Sequence, residues 1–583
     1  MKKIKYSLTA LCMFLAMTSC MNLDINTDPD TPNSTSGNVA SRLPAIQFWM
    51  GHTFQTTGFF AALMNQQITL ARTASADRYG SLAEWSAANI TASTYPYQAF
   101  FVGLGGTLPD VNAMAAKEGA YHYQAIVKAF RAMGFMILAD VYGEMPYTNA
   151  LTVEINPSYD NGKTIFNGAL AEIDEAIELF GKTQEPGATP LSAGDVWNGG
   201  DVNKWIKFCY GLKARWLNNL SKKTDLYDPD AILAALENGP KSNAENTLIN
   251  HELASVAVAD HLWGDDVKTN YLYIWMLNWG RTYYVTKWYA DILSDFDGKG
   301  IVDPRADKLI PSAQYNIDGV KTWKRTPGVD MATDIRIGTN FRAAGTYTDK
   351  WNVTETQDSF VVSMQSKGIH SPAYKDVADD GTVLNSGTYY ARSDAPSHLM
   401  TYPEMCFIKA EVLFRRNDKN GAFAAYKEGI KAHIDLLNEK LIEGNPNVAL
   451  AKISATDRDA FLNSEAVGSA NDITLGKIMT QKFIALSYSN QNWNDMRRLD
   501  YGMAGGVAPG AYLGWKEPYE HSTGYVDLKW IPAGKQYRRL GYVSHEFNYN
   551  NHNLSASHPR ALQDDIRSYP VWFDYPNDDY IPK

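Results

Sequence analysis

The 583 residues carry 54 Lys and Arg against 64 Asp and Glu, a formal net charge of −10. An acidic surface excludes nucleic acid and anionic lipid as principal partners, because both are held by clustered cations. With 45% hydrophobic residues and four cysteines, the chain buries a core of its own and needs no disulfide framework.

The chain opens with MKKIKYSLTALCMFLAMTSC. Lys2, Lys3 and Lys5 precede an apolar stretch, Leu8 to Met17, that is too short to span a bilayer permanently. Residues 1–19 therefore read as a signal peptide. Thr18, Ser19 and Cys20 form the end of a lipobox, with Met17 where Leu is usual, so Cys20 is expected to be acylated and to become the membrane anchor. Loss of residues 1–19 removes three lysines and no acid, leaving the mature chain more acidic still. Residues 20–42, rich in Asp, Asn, Pro, Thr and Ser, read as a flexible tether. Residues 43–583 are expected to form a single body, and no later apolar run is long enough to cross a membrane.

Within that body, helical stripes alternate with loop-like stretches. Phe166, Leu170, Ile173, Ile177 and Phe180 recur at spacings of three and four and predict one amphipathic helix. Three more stripes are similar: Ile126, Phe130, Met133 and Ile137; Trp205, Phe208, Leu212 and Trp216; and Leu475, Ile478, Met479, Phe483 and Leu486. The stretch 402–440 predicts a helix, a turn at Asn417 to Gly421 and a second helix, with the length and rhythm of a tetratricopeptide unit. One such pair cannot bury both faces, so the remaining stripes are expected to stack on it in a superhelical scaffold. Regions 250–400 and 500–583, rich in Gly, Pro and Asn, predict long loops and short strands laid over it. Cys209 and Cys406 sit inside helical patterns as small buried hydrophobes.

Catalytic signatures are missing. There is no H-E-x-x-H, no paired C-x-x-C and no G-x-S-x-G. Gly162-Lys163-Thr164 mimics the end of a P-loop, but Pro157 replaces its first glycine, and a helix start is the better reading. Asp140 and Glu144 flank Tyr142-Gly143 and have the composition of an acid pair. At a helix end they are expected to accept backbone N–H bonds instead. His545, His552 and His558 lack metal-site spacing. Asp295, Asp297 and Asp303, on a Gly-containing turn, are a weak calcium candidate that lacks the EF-hand spacing; no other cofactor is expected.

Aromatic residues make up 12% of the chain, with 15 Trp and 34 Tyr. One cluster holds Tyr79, Trp85, Tyr95 and Tyr97, with Phe100 and Phe101. The other holds Trp263, Tyr271, Tyr273, Trp275 and Trp279, with Tyr283 and Tyr284. Flat amphipathic rings suit the C–H faces of sugars and equally line pockets for peptides. Asn340, Arg342 and Trp351 join them as polar groups beside an aromatic in a loop-like stretch. Any single ring here can also serve the core.

Six segments in order, behind the lipobox and a mature start reading NLDINTDP, carry a resemblance across nearly the whole chain. They are ILADVYGEMPYTNAL (137–151), NGGDVNKWIKFCYGLKARW (198–216), DPRADKLIP (303–311), TYPEMCFIKAEVLF (401–414), QKFIALSYSNQNWNDMRRLDYG (481–502) and YRRLGYVSHEFNYN (537–550). The chain resembles the SusD/RagB family of nutrient-binding outer-membrane lipoproteins. The resemblance implies a mainly helical body with tetratricopeptide-like pairs, seated as a lid on a SusC-like TonB-dependent barrel and facing the cell exterior. It implies capture of oligosaccharide or oligopeptide without chemistry; a hydrolase and a purely structural transporter subunit are the rival readings. It also implies that the recurring motifs are architectural, with Asp495, Arg497 and Arg498 forming a charged network at a helix end.

Overall fold

The structure, a computed structural model, describes residues 37–70, 82, 85, 94–252, 272, 283–317, 320–331, 341–342, 345–348, 354–357, 360–361, 389–392, 394–518 and 535–582. Helix α1 (Val39–Met64) begins at Val39 rather than near Leu43. The cause is a reciprocal cap: Asn38 Oδ1 accepts from the Ser41 N–H at 3.0 Å, and Ser41 Oγ accepts from the Asn38 N–H at 3.1 Å. Ser41 stands where such boxes usually carry Glu or Gln, so the signal is weak in the sequence.

After a short helical stretch at Thr94–Gln98 and a π-helical turn at Ala99–Gly105 come five longer helices, α2 (Leu108–Glu118), α3 (Tyr121–Tyr142), α4 (Gly162–Phe180), α5 (Val202–Asn219) and α6 (Pro229–Asn238). The predicted stripes meet in one core. Ile126, Phe130, Met133 and Ile137 of α3 are buried, as are Trp205, Phe208, Leu212 and Trp216 of α5. Trp205 lies between Phe180 and Trp197, with ring centroids 6.1 and 6.0 Å away. Cys209 and Cys406 are buried and free. Gly162 is a helix start: Asn161 caps α4, and the Gly162 N–H donates to the Tyr580 hydroxyl at 3.0 Å.

After α7 (Lys287–Ser294), helices α8 (Tyr402–Arg415) and α9 (Lys419–Asn438) form the expected hairpin. The turn ends sooner than predicted. Asp418 caps α9 by accepting from the Gly421 N–H at 2.9 Å, which places Gly421 in the first helical turn. Helices α10 (Ala455–Leu462), α11 (Leu475–Ala485) and α12 (Asn490–Arg498) follow. The strands are short. The ladder of β1 (Ile68–Leu70) pairs antiparallel with β3 (Tyr283–Val285), and β2 (Thr247–Ile249) pairs with β10 (Ser397–Met400). A four-stranded sheet runs in the order β5 (Val320–Arg325), β4 (Ser312–Ile317), β9 (Phe360–Val361), β6 (Phe341–Arg342); β7 (Gly345–Thr348) pairs with β8 (Thr354–Gln357).

Helix α12 is polar in sequence and wholly buried. Its charges are matched. Arg498 grips Glu411 of α8 through two nitrogens, each at 2.6 Å, and Asp495 at 2.7 Å, while Asp495 meets Lys482 of α11 at 2.8 Å. Burial alone would raise the Glu411 carboxyl, but Arg498 and Arg415 pull it well below the ordinary carboxylate range. Arg497 lies over the Trp493 ring at 3.8 Å and donates to Asn494 Oδ1 at 2.6 Å. A second chain of charge ties in the C-terminal segment: Lys222 reaches Asp500 at 2.6 Å and Asp574 at 2.9 Å, and Arg538 reaches both acids.

The two acids flanking Tyr142-Gly143 are part of the same architecture, though not through backbone N–H groups. Asp140 accepts from the Asn494 amide at 2.6 Å, and Glu144 pairs with Arg539 at 2.9 Å and accepts from the Tyr542 hydroxyl at 2.8 Å. Gly143 has φ +84°, and a Cβ there would meet the Arg539 guanidinium at 2.6 Å, so only glycine lets Arg539 reach Glu144. Both acids are buried and committed to internal partners.

Arg498→Ala leaves Glu411 and Asp495 short of their shared partner and is expected to cost about 3–5 kcal/mol, read as a lowered denaturant midpoint. Burial pushes the Asp140 carboxyl up to about 7, against the pull of Arg497 and the Asn494 amide. An unfolded aspartate loses its proton near pH 4. Between those values the native state binds more protons, so this site's contribution to stability falls as pH rises through the window. Denaturant titrations of the parent and Asp140→Asn at several pH values should therefore diverge from about pH 4 to about 7, with the parent losing ground, and run parallel above.

Candidate functional site

The C-terminal end of α1 is where aromatic side chains and strained backbone coincide. Trp85 has φ +53°, is 6% exposed, and donates its indole N–H to the Met64 carbonyl at 2.9 Å. Its ring lies 4.8 Å from Tyr501 and 5.8 Å from Trp515, and the Tyr501 and Trp515 rings stack at 5.2 Å with 25° between their planes. The scaffold fixes this wall from behind. Trp493 donates to the Tyr501 hydroxyl at 2.8 Å, and Gln66 donates to the Lys516 carbonyl at 3.0 Å. Trp515 is half-buried, and its indole N–H is buried with no acceptor among the described residues.

Gln66, Trp85, Tyr488, Asp500 and Tyr501 all have φ between +48° and +63°. Each costs about 1–3 kcal/mol and persists only where the surroundings over-determine it. Two close approaches supply that constraint. Gly58 of α1 leaves no room for a Cβ against the Tyr488 carbonyl, and the Tyr488 N–H donates to Gln67 Oε1 at 2.9 Å.

Leu70 pairs with Tyr283 in the β1–β3 ladder, which follows directly on α1. Tyr283 itself packs on Phe59 at 5.1 Å. Deeper along α1, a small cavity of about 20 Å³, room for about one water, is lined by Phe54, Gln55, Leu272, Tyr390, His398 and Tyr488 among others. Burial lowers the His398 imidazole to about 4, which keeps it neutral.

The other predicted residues divide as follows. Tyr97 is taken by the scaffold: its hydroxyl donates to Glu546 at 2.6 Å, as does that of Tyr159, and its ring packs on Phe101 at 4.4 Å. Tyr95 is partly buried against the core. Tyr79, Trp263, Tyr271, Tyr273, Trp275, Trp279, Asn340 and Trp351 lie outside the described residues, and Arg342 is described only as a backbone position of β6. Tyr501 and Trp515 were not singled out by sequence. Tyr501 sits in a motif that reads as architectural, and Trp515 follows a Gly-rich stretch outside the two aromatic clusters.

The calcium candidate is corrected by its geometry. Asp303 is fully buried and forked onto Arg305, with Oδ1 2.9 Å from Nε and Oδ2 2.5 Å from the terminal nitrogen. Asp297 faces Lys477 at 3.1 Å, and Asp295 accepts from the Gly300 N–H within its own turn. The three carboxylates do not converge, and no group of three metal-binding side chains occurs among the described residues. A calcium ion here would have to displace Lys477 from Asp297 and the buried Arg305 from Asp303.

The fold is a helical scaffold of tetratricopeptide-like hairpins, with a cluster of aromatic rings packed at the C-terminal end of α1. Residues 46–323 and 341–511 match the SusD-like family model described as "Starch-binding associating with outer membrane". The chain belongs to the SusD/RagB family. Solved structures with the same fold include a chitin-binding protein (20% identity, TM-score 0.63, 92% of this chain and 100% of that one). A Bacteroidetes SusD-like protein gives 19% identity and a TM-score of 0.64 over the same shares. A SusD/RagB family protein from Bacteroides thetaiotaomicron gives 17% and 0.61 over 92% of this chain and 99% of that one. No curated protein matches in sequence. The members of this family are binding proteins, and no helix among the described residues is long and apolar enough to cross a membrane.

Adding calcium to EDTA-treated protein should leave the melting temperature unchanged, whereas Asp303→Asn should lower stability by about 3–5 kcal/mol, because it strands Arg305 in the core. Differential scanning calorimetry reads both.

Proposed function

We propose that the chain is a non-catalytic lipoprotein, anchored through Cys20 to the outer face of the outer membrane, that captures oligosaccharide and delivers it as a lid to a SusC-like TonB-dependent barrel. The observation that carries this reading is half-buried Trp515, stacked on buried Tyr501 and Trp85, with an indole N–H that has no acceptor among the described residues. Its ring supplies an apolar face for pyranose C–H groups, and a buried donor without an acceptor is satisfied by a ligand hydroxyl. The family's description as starch-binding and the chitin-binding relative point the same way. Against a hydrolase stand Asp140 and Glu144, which are buried in internal pairs and cannot span a cleft.

Calorimetry of the mature protein with malto-oligosaccharides, chitin oligosaccharides and mixed oligopeptides should show glycan binding, with the glycan intact by mass spectrometry afterwards. Trp515→Ala should weaken binding at least tenfold, about 1.4 kcal/mol. Binding confined to peptides, or steady cleavage of the glycan, would overturn the reading. Fatty-acid labelling lost in Cys20→Ser tests the anchor.

A further inference from the structure

Helix α1 ends in a left-handed turn of the kind that usually belongs to glycine. The Gln66 N–H donates to the Leu63 carbonyl at 3.3 Å and the Gln67 N–H to the Ala62 carbonyl at 3.0 Å, so residue 66 fills the position of this helix terminator that needs positive φ. Glycine adopts that conformation freely, whereas Gln66, at φ +62°, is strained there. Strain at a buried position that is not glycine points to a use for the side chain. Gln66 is buried, and its Nε2 amide donates to the Lys516 carbonyl at 3.0 Å.

That bond completes a bracket around Trp515. Before the ring, the Leu513 N–H donates to Thr480 Oγ1 of α11 at 3.0 Å, and the Trp288 indole N–H of α7 donates to the Leu513 carbonyl at 2.8 Å. After it, the Gln66 amide holds Lys516. The turn that carries this amide is itself fixed: the Thr286 hydroxyl donates to the Gln66 carbonyl, and the Thr286 N–H donates to the Gln67 carbonyl at 3.2 Å. With the backbone held on both sides of residue 515, the ring keeps only its side-chain rotations, and the stack on Tyr501 restrains those. We infer that Gln66 is a positioning residue for glycan binding, which acts through Trp515 by holding its loop in the binding arrangement before the ligand arrives. Binding is then spared the cost of ordering that loop. This inference rests on the glycan reading of Trp515.

Gln66→Gly separates the fold from the function. Glycine suits the turn, so relief of strain offsets the lost hydrogen bond, and the variant should melt close to the parent in scanning calorimetry. Titrated with malto- and chitin oligosaccharides, it should nevertheless bind about three- to tenfold more weakly, the effect of one hydrogen bond. Gln66→Met, which keeps the bulk and loses the donor, should lose affinity to the same extent. In a Trp515→Ala background, Gln66→Gly should change affinity no further, because the ring it positions is gone. Affinity equal to the parent in both Gln66 variants overturns the inference and leaves the glycan reading intact, as does an equal loss with and without Trp515. A parent that binds neither glycan, or a Trp515→Ala variant that binds as the parent does, overturns the glycan reading and this inference with it.

Discussion

Everything in this fold depends on where the Arg498 guanidinium sits. It joins α12 to α8 through Glu411, and through Asp495 it brings Lys482 of α11 into the same charged knot. Placing these groups out of water is costly, and replacing such a network by apolar side chains often costs nothing in stability. What the network supplies is position. An apolar helix slides to maximise contact, whereas α12 has one orientation in which each of these charges meets its partner. Lys222, Asp500, Asp574 and Arg538 extend the same logic to the C-terminal segment, which closes on the scaffold through ion pairs.

The ring wall inherits that precision. Tyr501 follows directly on α12, and its positive φ is held by the Trp493 bond on one side and by Trp515 and Trp85 on the other. The Tyr488 turn, just before α12, is pressed on Gly58 of α1. Strain of this kind relaxes unless the elements on both sides are immobile. The buried charges thus place the aromatic surface by fixing α12 beside the end of α1.

Much of the scaffold was legible in sequence because its helices announce themselves by periodicity. The stripe from Phe166 to Phe180 and the pair at 402–438 are clear cases. Boundaries were less legible where the cap was unusual, as at Asn38 with Ser41, or where a glycine that reads as a turn serves a capped first turn, as at Gly421. Helix α12 shows a deeper limit. Asn490 to Arg498 has the composition of a surface helix, and its complete burial follows from partners more than seventy residues away, such as Glu411. The site was half legible. Trp85 belongs to a dense aromatic cluster in sequence, whereas Trp515, its neighbour in space, has only Tyr512 and Tyr519 nearby in a Gly- and Pro-containing stretch. Tyr97 shows the reverse, a ring in a promising cluster whose hydroxyl the scaffold takes through Glu546.

The β1–β3 ladder has a bearing on how such proteins diversify. Because Leu70 and Tyr283 are clamped together, the stretches that follow the one and precede the other begin and end at fixed points of a rigid frame. Loop closure grows only slowly more costly with length, so insertions and wholesale exchanges there barely tax the core. The ladder behaves as a socket into which selection can fit new sequence while the helices beneath remain the same.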